Sequence, residues 1–213
     1  MRPLTIIDYE AGNVGSVANI VKKAGGQAVV SGDAGEIAKA ARLVLPGVGH
    51  FGTAMERLRR SGIAAALEDA VRGRSVPLLG ICLGMQLLAR HSEEGDSEGL
   101  GWLDAEVVRF RLNADRSLKV PHMGWNEVTP TSDDWLLSGL PSKPRFYFVH
   151  SYHMVCNDPS DEIARASHGY EFTAAVGRGN IRATQFHPEK SHRYGLAVIR
   201  NFLRETAPWS GPG

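Results

Sequence analysis

Two cysteines in 213 residues are too few for a disulfide framework, and Cys82 and Cys156 do not have the spacing of a metal-ligand set. No apolar run approaches the roughly eighteen residues that span a bilayer, and the short apolar stretch before Asp8 is too brief for a signal-peptide core. Charge of one sign is scarce as well. With 24 Lys and Arg against 23 Asp and Glu the net charge is +1, and the basic residues are scattered, which disfavours sequence-independent nucleic-acid binding. There is no internal repeat. A soluble cytoplasmic protein without metal or cofactor is the expectation. At 43% apolar and 22% charged, the chain can bury one core, expected over residues 1–206, with 207–213 (Ala-Pro-Trp-Ser-Gly-Pro-Gly) as a disordered tail.

The stretch that stands out runs Val-Pro-Leu-Leu-Gly-Ile-Cys-Leu-Gly-Met-Gln-Leu-Leu over residues 76–88. A strand-like apolar run meets Cys82, and a helix-capable segment follows without a loop. Gly80 and Gly84 make the turn Gly-x-Cys-x-Gly, the cysteine counterpart of a nucleophile elbow, in which small residues let strand and helix approach closely. A lone buried cysteine is usually a small hydrophobe, and Cys156 is read that way. The two glycines and the strand-to-helix junction reverse that reading for Cys82. The thiolate is the reactive form, and bringing a free thiol mostly to thiolate at neutral pH takes about two pKa units, or roughly 3 kcal/mol. A helix N-terminus supplies about 0.3–1 kcal/mol and at best about 2. A catalytic Cys82 therefore needs a histidine.

Short apolar strands at Leu4–Ile7, Ala28–Val30, Leu43–Leu45 and the cysteine strand alternate with helical segments at Val14–Val21, Glu36–Ala40, Thr53–Arg60 and Ile63–Arg72. That alternation predicts an α/β fold: a mostly parallel central sheet flanked by helices. Asp8-Tyr9, the Pro46-Gly47 loop and Cys82 all fall at strand C-terminal ends, where such sheets bind ligands. His91 to Gly99 reads as an exposed polar loop. Beyond it, strands are expected at 105–110, 118–120, 126–129, 145–149, 163–167, 174–176 and 181–185, some of them forming an antiparallel extension in the C-terminal half. A last helix carries Leu196, Ile199 and Leu203 on one face.

Gln185-Phe186-His187-Pro188-Glu189-Lys190-Ser191 follows the last apolar strand. If the chain is extended there, His187 and Glu189 point to the same side, so that the carboxylate can hold the imidazole tautomer and His187 can serve as the base for Cys82. Gly47-Val48-Gly49-His50-Phe51-Gly52 is a literal Gly-x-Gly-x-x-Gly. It follows the third strand rather than the first, Pro46 intrudes, and the residues about twenty positions on, Glu68 and Asp69, fall in a helical segment, so a dinucleotide cradle is disfavoured. These glycines better suit backbone N–H groups approaching an oxyanion, beside the N–H of Leu83. Residues 120–126 (Val-Pro-His-Met-Gly-Trp-Asn) and 145–153 (Arg-Phe-Tyr-Phe-Val-His-Ser-Tyr-His) concentrate aromatics and histidine, with His150 and Ser151 placed to line a polar pocket.

Together, Ile7-Asp8-Tyr9 with Gly12-Asn13, Leu45-Pro-Gly-Val-Gly-His-Phe, Leu79-Gly-Ile-Cys-Leu-Gly-Met-Gln, Pro121-His-Met-Gly-Trp-Asn, Phe146-Tyr-Phe-Val-His-Ser-Tyr and Gln185-Phe-His-Pro-Glu-Lys-Ser resemble the class I glutamine amidotransferases. Among those they are most similar to the glutaminase subunits of imidazole glycerol phosphate synthase. The resemblance implies glutamine hydrolysis through a thioester at Cys82, with His187 as base and then acid and Glu189 orienting it. Ammonia would pass to a (β/α)₈-barrel cyclase subunit, the partner in a heterodimer of histidine biosynthesis. It further implies glutamine binding by Gly49, Gln86, His150 and Ser151, an oxyanion hole from the backbone of Leu83 and Val48, and a partner-facing set of Asn13, Met123, Trp125, Tyr147 and Lys190. Glu10 departs from the family, which usually has glycine there. Rival readings are a cysteine peptidase or the glutaminase of another pathway on the same fold, a nucleotide-binding oxidoreductase built on Gly47 to Gly52, and a non-catalytic regulatory subunit.

Overall fold

A computed structural model describes residues 3–112 and 118–204. The amino-terminal half alternates as expected: β1 (Leu4–Ile7), α1 (Val14–Lys23), β2 (Ala28–Ser31), α2 (Ala34–Ala38), β3 (Leu43–Gly47), α3 (Phe51–Arg60), α4 (Ile63–Leu67), β4 (Leu78–Cys82) and α5 (Leu83–Gln86). The helix expected to run to Arg72 changes at Glu68 into a π-helical turn, Glu68–Gly73. Then come β5 (His91–Ser92), β6 (Ser97–Glu98), β7 (Ala105–Arg109), β8 (His122–Glu127), β9 (Thr129–Pro130), β10 (Arg145–His150), β11 (Tyr152–Cys156), β12 (Glu162–Ser167), β13 (Glu171–Arg178), β14 (Ile181–Thr184) and α6 (His192–Arg204).

The main sheet has the order β2-β1-β3-β4-β14-β13-β12-β9. Its first five strands pair in parallel and the rest antiparallel. A mostly parallel sheet with an antiparallel extension is the fold class expected. Successive side chains of a strand point to opposite faces, and both faces are covered here. Ile7, Leu43, Leu45 and Leu78 enter the core beneath α2, α3 and α4, while Leu4, Ile6, Val44, Leu79 and Ile81 enter the one beneath α1 and α6. Those strands accordingly read as nearly continuous apolar runs.

Several local expectations are corrected. Leu118 to Val120 is not a strand; the strand starts at His122, because Pro121 has no N–H to give to a ladder. Tyr152–Cys156 is a separate strand that pairs with β7, whereas β10 pairs with β8, so the aromatic run breaks at Ser151. His91 to Gly99 is not a plain loop but carries the β5/β6 hairpin, with Ser92 fully buried. Cys156 is half-buried rather than core, with its thiol pushed up to about 12 by burial and then by Glu162 and Asp161. The expected tail at 207–213 lies outside the described residues.

Glu10, at the end of β1, adopts φ +61, the left-handed region that glycine enters freely. Its N–H bonds Asp8 Oδ1 at 3.1 Å and its carbonyl accepts from Arg57, so the turn is held despite the side chain. A left-handed L-residue costs roughly 1–2 kcal/mol, and glycine's extra unfolded-state freedom costs roughly 0.5–1. Glu10→Gly is therefore expected to raise stability by up to about 1 kcal/mol, read from the urea midpoint; a lower midpoint would show that the side chain is not strained there.

Candidate active site

The site is built at the C-terminal ends of β3, β4 and β14. Cys82 ends β4 and caps α5 with φ +54 and ψ −108. So sharp a turn is possible because Gly80 and Gly84 bear no side chains. A Cβ on Gly84 would run into the Leu45 carbonyl, and one on Gly80 would lie 2.9 Å from the Gly84 carbonyl. The turn puts the sulfur beside a cleft of about 310 Å³ lined by Val48, Gly49, Cys82, Leu83, Gln86, His150 and Ser151, among others. The structure thus brings the expected glutamine-binding residues and both expected oxyanion residues to the cleft of the cysteine. Asp8 and Tyr9, expected to converge on the same crevice, line a different cavity with Arg57, although the Tyr9 hydroxyl lies close to Gly47.

His187 follows β14, the parallel neighbour of β4. The segment is not extended at the glutamate: Pro188–Lys190 forms a 3-10 turn. Even so, His187 Nδ1 lies 2.7 Å from Glu189 Oε1, with both side chains almost fully buried. Ser191 locks the turn to β10, donating its hydroxyl to the His187 carbonyl at 2.6 Å and accepting from Tyr147 N at 3.0 Å. The other ring nitrogen, Nε2, is buried without a protein hydrogen-bond partner among the described residues. Burial disfavours the imidazolium, but the negative charge of an ionised Cys82, followed by Glu189, outweighs it and raises His187 to about 10. A buried imidazolium facing sulfur is the charge arrangement that the elbow lacked on its own. Tyr9 is raised as well, by burial first and then by the charge of Cys82, far above its ordinary range, which for a phenol means that it stays neutral.

Val48 departs from its expected role. Its N–H donates to the Ala11 carbonyl at 2.9 Å, so it is committed away from the sulfur, whereas the N–H of Leu83 lies in the first turn of α5, where no helical acceptor is available. The sequence reading also missed Glu94, which lines the cleft from the β5/β6 hairpin. Its Oε2 accepts from Phe51 N at 2.9 Å, capping α3, whose own N-cap residue His50 makes no side-chain bond. No local pattern singles out Glu94, because the helix end it satisfies lies 43 residues away in sequence.

His150 reaches back from the cleft into a chain of defined tautomers. Its Nδ1 lies 2.8 Å from the Tyr152 carbonyl, which can only accept, so Nδ1 bears the hydrogen and Nε2 accepts from His122 Nδ1 at 2.9 Å. His122 Nε2 then accepts from Asn126 at 3.1 Å. Burial lowers both imidazoles, His122 to about 4, and keeps them neutral. On the other face of the β8/β10 ribbon, Met123 is 63% exposed and Trp125 stands edge-on to Tyr147 and stacks on His192. Lys190 lies over the Tyr147 ring; Asn13 caps α1, accepting from Ser16 N at 3.3 Å, and α1 packs against the 3-10 turn that carries Lys190. Among the described residues no group of three or more His, Cys, Asp or Glu is placed to hold a metal ion.

A ring-resolved NMR titration should keep His187 protonated to about pH 10. In Cys82→Ala burial stays while the charge of the sulfur vanishes, so the midpoint should fall; an unmoved midpoint would separate the imidazole from the sulfur. Because the folded value lies above the unfolded one, the stability linked to this proton is fully present below about pH 6.5 and is lost as pH rises through about 10.

Comparison with known proteins agrees with this geometry. Residues 5–206 match the family described as glutamine amidotransferase class-I. The chain is 47% identical over 200 residues to imidazole glycerol phosphate synthase subunit HisH 2 of Pseudomonas aeruginosa, covering 94% of this chain and 98% of that one. It is 46% identical over 198 residues to subunit HisH of Leptospira interrogans, covering 92% and 97%. The solved PurLQS structure from Thermotoga maritima superposes with a TM-score of 0.73 at 19% identity, over 95% of this chain and 98% of that one, a likeness of fold alone. Matched to the family over residues 5–206 and nearly half identical to its near full-length relatives, the chain belongs to the class I glutamine amidotransferase family.

Proposed function

We propose that this chain is the glutaminase subunit of an imidazole glycerol phosphate synthase, with residues 1–206 as one amidotransferase unit. It hydrolyses glutamine to glutamate and ammonia, and a (β/α)₈-barrel cyclase consumes the ammonia to make imidazole glycerol phosphate and AICAR in histidine biosynthesis, in the cytoplasm. The observation that carries the reading is the buried Glu189-His187 pair, 2.7 Å apart, whose charge is coupled to Cys82.

In the reaction the Cys82 thiolate attacks the side-chain amide carbon of glutamine, and the carbonyl electrons move to oxygen beside the N–H of Leu83. His187, already protonated, gives its Nε2 proton to the leaving amine, ammonia departs and a thioester remains. His187 then takes a proton from water, hydroxide adds to the thioester, and collapse releases glutamate and restores the thiolate. Glu189 holds Nδ1–H throughout. A second oxyanion donor from Val48 requires the Gly47-Val48 peptide to turn away from Ala11, and one such donor is worth roughly 3 kcal/mol in the transition state. That shortfall suits a glutaminase that is slow until the cyclase docks on the Met123, Trp125, Tyr147, Lys190 and Asn13 face. Gly49, Gln86, His150 and Ser151 hold the substrate, and the Glu94 carboxylate suits its α-ammonium group.

Glutamate release from glutamine should be measurable, rise with the cyclase and its ribonucleotide substrate, and vanish in Cys82→Ala; full activity in that variant would remove the nucleophile assignment. Losing the charged bond to the ammonium group in Glu94→Gln should raise KM about 10- to 100-fold with little change in kcat. An unchanged KM in steady-state assays would exclude Glu94 from substrate binding.

A further inference from the structure

Gln185 has no part in the mechanism above, yet it touches the same sulfur. It is fully buried, and its Nε2 lies 3.7 Å from Cys82 Sγ. The sheet register puts it there: β14 pairs with β4 in parallel, with Thr184 opposite Ile81, so the next residue of each strand meets the other. Its own backbone N–H is anchored to the Ala174 carbonyl at 2.8 Å.

A backbone carbonyl decides which end of the amide faces sulfur. Gln86 Nε2 lies 2.9 Å from the Tyr152 carbonyl, and since a carbonyl can only accept, the Gln86 nitrogen must be at that end. The second hydrogen of the same nitrogen reaches Gln185 Oε1 at 3.0 Å. With its oxygen occupied, Gln185 turns its NH₂ group toward Cys82. Gln86 and Gln185 are both buried, so neither amide can exchange these partners for water without cost.

We propose that Gln185 is a catalytic residue, an N–H donor to the Cys82 sulfur that stabilises the thiolate before attack and again when sulfur leaves the thioester. This rests on Cys82 being the nucleophile. A hydrogen bond strengthens when its acceptor carries charge, and more so away from water. The amide does not ionise, so it favours the thiolate without competing with His187 for the proton. When sulfur attacks, its electron pair enters the new S–C bond and the N–H···S bond weakens. When hydroxide has added and the S–C bond breaks, the pair returns to sulfur and the bond is restored. Gln185 therefore assists departure in deacylation as well as ionisation at the start.

The test uses the full chain without glutamine, alkylating Cys82 with iodoacetamide across pH and following that residue by peptide mass. Gln185→Leu should react about tenfold more slowly at neutral pH, with its rate profile moved to higher pH. Gln185→Glu keeps the acceptor for Gln86 but presents a carboxylate to sulfur, and it should be slower still. Profiles equal to wild type in both variants, whatever their melting temperatures, would reduce Gln185 to packing and overturn the proposal. If the leucine variant does not fold, wild-type protein still decides. The Gln185 side-chain ¹⁵N–¹H signals must shift as Cys82 ionises, and signals that stay fixed through that titration would equally overturn it. A wild-type chain that alkylates as expected but releases no glutamate in the presence of the cyclase would instead defeat the functional reading.

Discussion

The active geometry depends on one backbone conformation, the positive φ of Cys82 where β4 turns directly into α5. A non-glycine residue held there costs on the order of 1–3 kcal/mol, so the surroundings must over-determine it. They do so by close approach: Gly84 lies against the Leu45 carbonyl and Gly80 against Gly84, which leaves the chain no room to relax. The same turn fixes the sulfur at a meeting point of three strand ends, and each of the other groups is brought to it by a neighbouring strand. β3 delivers the Val48-Gly49 loop, β14 delivers Gln185 and His187, and the β10/β11 junction delivers His150 and Ser151.

Around this point the histidines divide by environment. His187, His150 and His122 are all buried, and desolvation acts on each in the same direction, against charge. His187 is nonetheless raised, by the charge that Cys82 bears when ionised and by the Glu189 carboxylate. His150 and His122 have only carbonyl, amide and imidazole partners and remain neutral. One residue type thereby favours the charged form in one place and the neutral form in another, separated by partners rather than by depth. The neutral pair meets the chain of amides that leads to the sulfur at the Tyr152 carbonyl, which accepts from both His150 and Gln86.

The legible parts of the chain were those in which chemistry and local geometry coincide. The Gly-x-Cys-x-Gly turn, the approach of His187 to Glu189 and the alternation of apolar strands with amphipathic helices all depend on residues a few positions apart, and the structure has each of them. Errors fell where an element is decided by what it packs against. Glu68–Gly73 continues α4 as a π turn, Pro121 delays the start of β8, and the acidic run at 91–99 folds into a hairpin because Glu93 and Glu94 find partners far away in the chain, at Arg109, Arg111 and Phe51.

Sequence alone singled out Cys82 as the candidate nucleophile with His187 and Glu189 as its candidate base and orienting acid, because an elbow needs small residues at fixed offsets and a helix dipole too weak to ionise a thiol demands a base. It determined the alternating α/β order for a similar reason, since periodicity is a local property. Only the tertiary structure decided that Val48 gives its N–H to Ala11, that Glu94 enters the cleft, and that Gln185 turns its amide nitrogen to Cys82. Each of these is a contact between segments tens of residues apart, set by strand register and by which buried donor or acceptor is left to be satisfied, and no window along the chain contains both partners.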